Sequence, residues 1–463
     1  MASAKLSRTP GSETNRKTWT WSAWIKRSSI GNSTASNGYT LWNCEGNNAN
    51  DNFIFQITVN GGGSGGPTDS LALHTYGNDV FRTTPLLRDM TAWYHIVFAL
   101  DTTQSTATDR IKLYINGSQI SYSQEANFPS QNYNMGINRN SVHCIGSHGS
   151  NANYYFDGQM AHVHFTDGTA YPASTFGEAD ATTGIWKPKT SPSVTYGTNG
   201  YFLKMDNSAN MGLDSSGNSN NFTTSGTIIQ TKDTPSNVFA TLNALNSVGT
   251  GANPSYSLIN TKTVSSNDNY FGGSSTLGMT KGKYYIEVEL DAQSSSGQGV
   301  IGMSTNIFEE ARQNRHFGQL TSNPSAGYYG SNGNKVVDGG TDASYGNSYT
   351  AGDIIGIAID CDNNYIYFAK NGTWQNSGVP TSGSTGTGGI ALTSTDREWF
   401  LSLGDGGGSA TATYLCNFGN GYFGTTAVSS AQNPDDGIGV FEYDVPAGYR
   451  ALCTKSLNAQ EYS

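Results

Sequence analysis

Short runs of alternating apolar residues, each closed by a turn-forming residue, recur along the whole chain and constrain its fold more than any other feature. Every odd-numbered residue from 53 to 59 is a large apolar one, as in a strand with one buried face. The run 110–115 is followed by Asn116 and Gly117, a pair that favours tight hairpins because both residues tolerate positive φ. The sequence carries no long amphipathic helical pattern. We therefore predict an all-β fold.

The composition supports this prediction and excludes several classes of function. The 463 residues include 57 Gly, 26 Tyr, 19 Phe and 8 Trp, so turns are frequent and enough bulky residues are present to build packed cores. Only 13% of residues are charged, and the net charge is -10. An acidic chain without a basic run lacks the cations that nucleic acids require. No stretch approaches the roughly 20 apolar residues of a membrane helix, so we expect no nucleic-acid partner and no membrane insertion.

The cysteines and the N-terminal segment predict synthesis in a reducing cytosol. The five cysteines are odd in number and lack Cys-x-x-Cys spacing. We therefore expect buried thiols rather than a disulfide framework or a zinc site. The N-terminal segment contains no apolar core of a secretory signal.

Breaks in the strand pattern predict two domains. Residues 177–194 contain two prolines and no alternation, which indicates a connector that crosses the surface of the first domain. Residues 231–250 include Pro235 and show little periodicity, so we place a boundary near residue 235. A fresh set of strand patterns follows. The prediction is one domain over 1–235 and a second over 236–463.

Two sequence blocks of the first half resemble a known family. The sequence AWYHIVFALDTTQSTATDRIKLYINGSQI (92–120) and the downstream YYFDGQMAHVHFTDG (154–168) resemble the laminin G-like branch of the concanavalin A-like lectin/glucanase superfamily. The segment 201–223 is similar to a strand pair of that family. The resemblance implies a jelly-roll sandwich of two curved antiparallel sheets.

Four blocks of the second half are similar, in order, to those of a SPRY domain, another bent β-sandwich. They are GKYYIEVEL (282–290), GVIGMS (299–304), GDIIGIAID (352–360) and YIYFAKNG (365–372). The spacing of the last two blocks is the most specific signal in the chain. Together the resemblances imply an all-β protein with two tandem antiparallel β-sandwich (jelly-roll) domains.

The tandem arrangement also resembles structural proteins of tailed bacteriophages from marine environments. The linker KDTPSNVFATLNALN (232–246) and the terminal VPAGYRALCTKSLN (445–458) contribute to this similarity. It implies a virion surface protein, at a tail or fibre tip or as a head appendage, that is made in the bacterial host cytoplasm. Its partners would be other virion proteins and a host-cell glycan, and it would be multimeric on the particle.

The carboxylates of the sequence favour a non-enzymatic role. A retaining glycan hydrolase needs two carboxyls about 5 Å apart. Glu287, Glu289 and Asp291 share one strand face, but they lie in the SPRY-like half and lack the family's E-x-D-x-x-E order. We interpret them as a solvated strand face. A glycan-degrading depolymerase and a purely structural decoration or scaffold protein without a host ligand are the alternatives to a host-adhesion protein.

Aromatic residues beside amides on polar loops predict a ligand-binding surface. A flat apolar ring stacks on a sugar, and neighbouring amides bond the sugar hydroxyls. Residues of this kind are Trp42, Asn43, Tyr328, Tyr329, Tyr345 and Trp374. Resemblance to SPRY domains implies that the second-half residues would equally suit a protein partner. For any single ring, packing in the core or at a sheet rim is the favoured interpretation.

One turn-rich window predicts a calcium site, and no other cofactor is expected. Its hard oxygen ligands would come from Asp206, Asn207, Asp214 and Asn218. Resemblance to laminin G-like and lectin domains also implies calcium bound by such loops. The alternative is an ordinary turn in which these side chains bond their own backbone.

Four histidines suggest a weaker metal hypothesis. His162 and His164 alternate on one strand, and His143 and His148 precede them in a segment expected to form a neighbouring strand. Converging imidazoles can hold a transition metal. A ladder of hydrogen-bonded surface histidines is the alternative.

Overall fold

The computed structural model confirms the all-β prediction. It describes residues 4–30, 38–46, 52–59, 67–75, 78–124, 127–149, 154–248, 254–258, 261–264, 272–294, 299–306, 318–321, 323–393, 397–405 and 411–461. The chain divides into two compact units, Met1–Gln230 and Thr231–Ser463. Over the described ranges, none of the helices has the length and apolar character needed to cross a bilayer.

The first unit is a sandwich of two antiparallel sheets. Its strands are β1 (Lys5–Arg8), β2 (Thr18–Arg27), β3 (Gly38–Cys44), β4 (Phe53–Thr58), β5 (Ser70–Thr75), β6 (Asn78–Leu86), β7 (Tyr94–Asp101), β8 (Ile111–Ile115), β9 (Ser118–Gln119), β10 (Tyr122–Gln124), β11 (His143–Ile145), β12 (Gly158–Asp167), β13 (Gly177–Ala179), β14 (Trp186–Pro188), β15 (Tyr201–Leu203) and β16 (Thr223–Ser225). The larger sheet has the order β10-β6-β5-β4-β3-β11-β1-β16, and the smaller has the order β15-β12-β2-β7-β8-β9. Short 3₁₀ turns occur at Ala107–Asp109 and Ala173–Thr175.

Alternation along the strands builds the core between these two sheets. On β2, Trp19, Trp21 and Ile25 are fully buried and point towards the facing sheet. Trp42 of β3 meets them from that sheet: its ring centroid lies 5.4 Å from that of Trp19 and 5.7 Å from that of Trp21. Packed aromatic rings of this kind dominate the energetics of a core.

The predicted connector at 177–194 packs against the outer face of the smaller sheet. It includes the hairpin β13–β14. Phe176 and the partly buried Trp186 contact Val97 of β7 in a second, smaller apolar cluster. The sheet is therefore covered on both faces over this region, and polar residues on its outer face are removed from water.

The second unit is also a two-sheet sandwich. Its strands are β17 (Leu242–Val248), β18 (Ser255–Ser257), β19 (Lys262–Val264), β20 (Gly272–Ser275), β21 (Lys283–Gln293), β22 (Val300–Ser304), β23 (Ser325–Tyr329), β24 (Asn334–Val337), β25 (Ala343–Ser344), β26 (Ile354–Asp360), β27 (Tyr365–Lys370), β28 (Thr373–Trp374), β29 (Ile390–Ala391), β30 (Phe400–Gly404), β31 (Ala412–Asn417), β32 (Tyr422–Phe423), β33 (Thr426–Ala427) and β34 (Arg450–Ala451). One sheet runs β17-β20-β30-β22-β23-β24-β25, and the other runs β18-β19-β31-β21-β26-β27-β28, with β29 beside β27. Helix α1 spans Thr454–Glu461, and 3₁₀ turns occur at Gln375–Ser377 and Pro380–Thr385.

The C-terminal segment covers the outer face of the second of these sheets. Strand β34 pairs in parallel with β21, unlike the antiparallel pairs around it. Phe441, Tyr449 and Cys453 are buried there in a cluster with Tyr285 of β21 and Tyr367 of β27. The rings of Tyr285 and Phe441 lie 5.0 Å apart. We refer to residues 429–453 as the C-terminal strap.

The prediction of a solvated strand face at residues 287–291 is wrong, because the C-terminal strap covers part of that face. Glu287 is fully buried, whereas Glu289 is half-buried and Asp291 is exposed. Asp291 forms an ion pair with Lys262 at 3.0 Å. The alternation of β21 was predicted correctly, but its second face lies under the strap rather than in water.

Candidate functional site

Most of the predicted sugar-stacking rings lie in the cores. Trp42, Tyr328, Tyr329 and Tyr345 are each no more than 4% exposed. This agrees with the packing interpretation for these four rings and contradicts their candidacy as exposed ligand-binding residues. Trp42 belongs to β3, and both tyrosines at 328–329 belong to β23. The ring of Tyr328 packs against that of Tyr345 at 5.6 Å.

Two local features explain the misassignment in β3. A β-bulge between Thr40 and Trp42 shifts the register against β4, so Leu41 and Trp42 are both buried instead of alternating. Asn43 is buried as well, and its side-chain amide donates a hydrogen bond of 2.9 Å to the Phe53 carbonyl. Asn43 therefore braces the sheet.

Trp374 is the predicted ring that remains partly exposed. It ends β28, and its ring lies in an edge-to-face arrangement with that of Tyr285, at a centroid distance of 6.4 Å. The adjoining Asn376 and Ser377 are exposed and adopt positive φ values of 52° and 54°. Val379, two residues on, is 43% exposed. We call residues 371–389 the Trp374 loop; it offers a flat ring, an amide and an apolar side chain to a ligand.

Internal hydrogen bonds hold the Trp374 loop in place. The buried Gln375 side chain accepts a hydrogen bond of 2.9 Å from the Asn347 amide and donates one of 2.7 Å to the Thr373 carbonyl. The Val379 amide donates to the Thr387 carbonyl at 2.9 Å. A loop fixed in this way loses little conformational entropy on binding.

The predicted calcium window is built around Asp214, whose carboxylate is already used. Its oxygens accept four hydrogen bonds of 2.8 Å, from the Phe202, Ser216 and Asn220 amides and from the Ser216 hydroxyl. The Asn218 amide nitrogen donates to the carbonyls of residues 197 and 200. These contacts describe a self-bonded turn.

The other two members of this window, Asp206 and Asn207, are exposed, and Asn207 accepts a hydrogen bond from the Ala209 amide. Within the described part of the chain, no three His, Cys, Asp or Glu side chains form a metal-binding group. Calcium binding at this turn stays a prediction.

The histidine pairing predicted from sequence is wrong. Strand β11, with His143, lies between β3 and β1 in the larger sheet, whereas β12, with His164, lies in the smaller sheet. The His164 ring stacks on Phe202 at 3.9 Å and lies 3.0 Å, through Nδ1, from the Tyr196 hydroxyl. Burial holds the pKa of His164 well below its ordinary value.

A nucleophile–base pair that the sequence did not reveal lies under the connector. The Ser22 hydroxyl is 2.9 Å from Nε2 of His95, and Nδ1 of His95 accepts the indole N–H of Trp186 at 3.0 Å. Since an indole N–H only donates, Nε2 must carry the proton and donate it to Ser22. A base for serine would need the opposite tautomer. Burial lowers the pKa of His95 to about 3, so the ring is neutral. Its proton points towards Ser22, the opposite of what a catalytic base needs. The pair therefore stabilises the fold and does not activate serine for acyl transfer.

Glu287 is a fully buried carboxyl of the second unit whose pKa is strongly raised. Its oxygens accept hydrogen bonds from the backbone amides of Glu442 and Tyr443 at 2.9 Å, from Asn417 at 3.1 Å and from the Tyr285 hydroxyl at 3.2 Å. Burial raises the pKa of Glu287 to about 7, and these hydrogen bonds oppose the increase. The carboxyl ties the C-terminal strap to β21 and faces no groove.

Comparison with known families identifies both units. Residues 3–175 match the concanavalin A-like lectin/glucanases superfamily, in its laminin G-type branch, and residues 283–391 match the SPRY domain. The chain carries a lectin-type domain followed by a SPRY domain. The order of the two matches confirms the predicted order of the two domains.

Individual relatives cover only part of the chain. A Ran-binding proteins 9/10 homolog from Drosophila melanogaster is 35% identical over 91 residues, which are 20% of this chain and 9% of that protein. This chain therefore matches only a small part of the length of such relatives. A putative carbohydrate binding protein from Bacteroides ovatus is 19% identical, covering 48% of this chain and 56% of its own, with a TM-score of 0.30. A human SPRY domain is 15% identical, covering 33% and 94%, with a TM-score of 0.22.

Proposed function

We propose that this chain is a non-enzymatic adhesion protein whose lectin-type and SPRY domains bind ligands through their loops. The main support is a contrast within the described residues. Three side chains that could take part in catalysis, Ser22, His95 and Glu287, are buried and hydrogen-bonded to other parts of the protein. The Trp374 loop, by contrast, is held in place by internal hydrogen bonds, and the Trp374 ring and the Asn376 side chain are partly or fully exposed to solvent.

The ligand of the lectin-type domain is proposed to be a glycan, and that of the SPRY domain a glycan or a protein. The match of residues 3–175 to a lectin and glucanase superfamily supports the first assignment. The relatives of the SPRY domain are named Ran-binding proteins, which supports protein binding as a second use of this domain.

A finer part of the proposal concerns location. The resemblance of the tandem and its linker to tailed-phage structural proteins supports a place on the virion surface, as a tail or fibre tip or a head appendage. Weak individual sites would then be repeated on one particle. Such repetition can raise the overall affinity by roughly 10²–10⁴ without new contacts.

The Trp374 loop gives the sharpest test of the binding proposal. We expect Trp374→Ala to weaken binding of the full chain to its glycan or protein ligand at least about tenfold, which corresponds to about 1.4 kcal/mol. An array of bacterial surface glycans and pull-down with purified virion proteins would supply the ligand. Thermal unfolding would show that the variant still folds.

The matched control is Tyr133→Ala, which removes a 40% exposed ring from the first unit. We expect this variant to bind through the SPRY domain as the wild type does. Undiminished binding by the Trp374 variant would show that the loop is not the site. Failure of the wild type to bind any glycan or virion protein would contradict adhesion altogether.

A further inference from the structure

The outer face of the smaller sheet in the first unit carries two buried histidines that both lie under the connector. His95 of β7 is fully buried, and His164 of β12 is 1% exposed. The ring of His95 lies 6.1 Å from that of Trp186, and the ring of His164 lies 5.1 Å from that of Phe176. Trp186 belongs to the connector, and Phe176 directly precedes it. Aromatic side chains of this segment therefore cover both imidazoles.

Among the described residues, a single hydrogen bond joins hairpin β13–β14 to the sheet, and its acceptor is a group that can take up a proton. The Trp186 indole N–H donates to Nδ1 of His95 at 3.0 Å. The other hydrogen bonds of the hairpin stay within residues 174–189. Because an indole N–H only donates, a proton on Nδ1 would place two donors against each other. Protonation of His95 therefore breaks this link.

The Trp186 ring fits closely into its place on the sheet. Gly117 and Gly177 lie against it, and a Cβ at either glycine would come within 2.9 Å of the ring. Val97 of β7 belongs to the same apolar cluster. The hairpin therefore depends on this one side chain for both its apolar and its polar contact with the sheet.

His164 forms a second contact with the same segment. Its Nδ1 lies 3.0 Å from the Tyr196 hydroxyl, just after the connector, and its ring packs against Phe176, just before it. The two ends of the connector thus meet at one imidazole, and its middle meets the other.

Both rings are neutral while they are covered. Burial lowers the pKa of His95 to about 3 and holds that of His164 well below its ordinary value. The charges that act on the two rings add to this effect, because they are those of other imidazoles: His162 on both, and His95 on His164. The remaining titratable groups on the elements packed against the rings are Lys26 on β2, Lys112 and Tyr114 on β8, Lys204 and Asp206 after β15, and Tyr171, Glu178, Asp180, Lys187, Lys189 and Tyr196 on the connector and its flanks.

We propose that the connector is an acid-released cover of this sheet face, with His95 and His164 as its two proton sensors. When the connector lifts, the rings meet water and take up protons, so acid favours the open form. Between pH 7 and pH 5, a ring that regains its ordinary pKa of about 6.5 on opening raises the opening equilibrium about 25-fold, and two such rings raise it about 600-fold. Opening also uncovers Val97 and the rings of Phe176 and Trp186, an apolar cluster.

The test follows hydrogen–deuterium exchange of backbone amides in the full chain at pH 7, 6 and 5, with rates corrected for the intrinsic effect of pH. The amides of Asp180 and Lys189 donate hydrogen bonds within the connector segment. A two-stranded hairpin is marginally stable on its own, so these amides exchange once it leaves the sheet. We expect their protection to fall at least about 25-fold from pH 7 to pH 5, while the amides of β4 stay better protected at each pH.

Variants assign the fall to the two sensors. Glutamine keeps a donor and an acceptor but cannot take up a proton, so the double variant His95→Gln, His164→Gln should lose less than about threefold. His143→Gln alters a buried histidine of the larger sheet and should lose as much as the wild type.

Three results would overturn the proposal. They are connector protection that does not change with pH, equal protection of the connector and β4 at pH 5, which indicates global unfolding, and a double variant with the wild-type fall. The first two are read from the wild type, so they decide the question even if the double variant fails to fold.

Discussion

The second unit is expected to lose about 3 kcal/mol of stability as the pH rises from about 4.5 to above 7, because Glu287 must ionise while buried. Its pKa is about 7 in the folded chain against an ordinary value of 4.5. The folded state therefore holds a proton that the unfolded state has released over this window, so the stabilisation present below pH 4.5 is lost as the pH rises through about 7. Urea unfolding at a series of pH values measures it.

Two variants on the same strand isolate this effect. Glu287→Gln cannot ionise, so its stability should be nearly flat from about pH 5 to pH 8. Glu289→Gln alters a half-buried carboxyl two residues along and should keep most of the wild-type decline. A wild-type decline that persists in the Glu287 variant would show that another group causes it.

Trp42→Ala should destabilise the first unit by about 4 kcal/mol. The side chain is fully buried, and truncating a buried Trp removes apolar burial and leaves a cavity, at a cost of about 3–5 kcal/mol. Chemical denaturation followed by circular dichroism measures the loss. Trp374→Ala, by comparison, should change the stability of the second unit by less than about 1.5 kcal/mol, because its ring is partly exposed.

This pair of variants separates packing from ligand contact. The sequence analysis assigned Trp42 and Trp374 to the same kind of binding surface. A Trp42 variant with wild-type stability and lost ligand binding would contradict the position of this ring in the core.

The strands could be predicted because their signal is local. The alternation at 283–290 corresponds to β21 (Lys283–Gln293), and that at 53–59 corresponds to β4 (Phe53–Thr58). A period of two identifies the strand and its two faces. It also explains why the family resemblances, which depend on these blocks, led to the correct order of domains.

Whether each strand face is buried or exposed could not be predicted from the same alternation. Glu287 is bonded to the Glu442 amide, 155 residues further along the chain, and no local pattern encodes that contact. The bulge at Thr40–Trp42 changes which side chains point inward without changing the composition. The exposed or buried state of an aromatic residue therefore depended on contacts and irregularities outside its own segment.

The candidate site was predicted only in part for the same reason. Trp374 follows an Asn-Gly turn at residues 371–372, and such a turn places the next residues at a sheet rim. Trp42, Tyr328 and Tyr329 lie in strands rather than in loops, and Tyr345 is buried just after β25. The Ser22–His95 pair required the pairing of β2 with β7, which brings together residues separated by more than 70 positions.

The most direct test of the account is to incubate the full chain with a panel of bacterial surface polysaccharides, measuring bound protein and newly formed reducing ends in the same samples. We expect saturable binding to at least one polysaccharide, weakened in the Trp374→Ala variant, with no reducing ends above the buffer control. Release of reducing ends that increases with protein concentration would contradict the account, because it would show that this chain cleaves glycans rather than holding them.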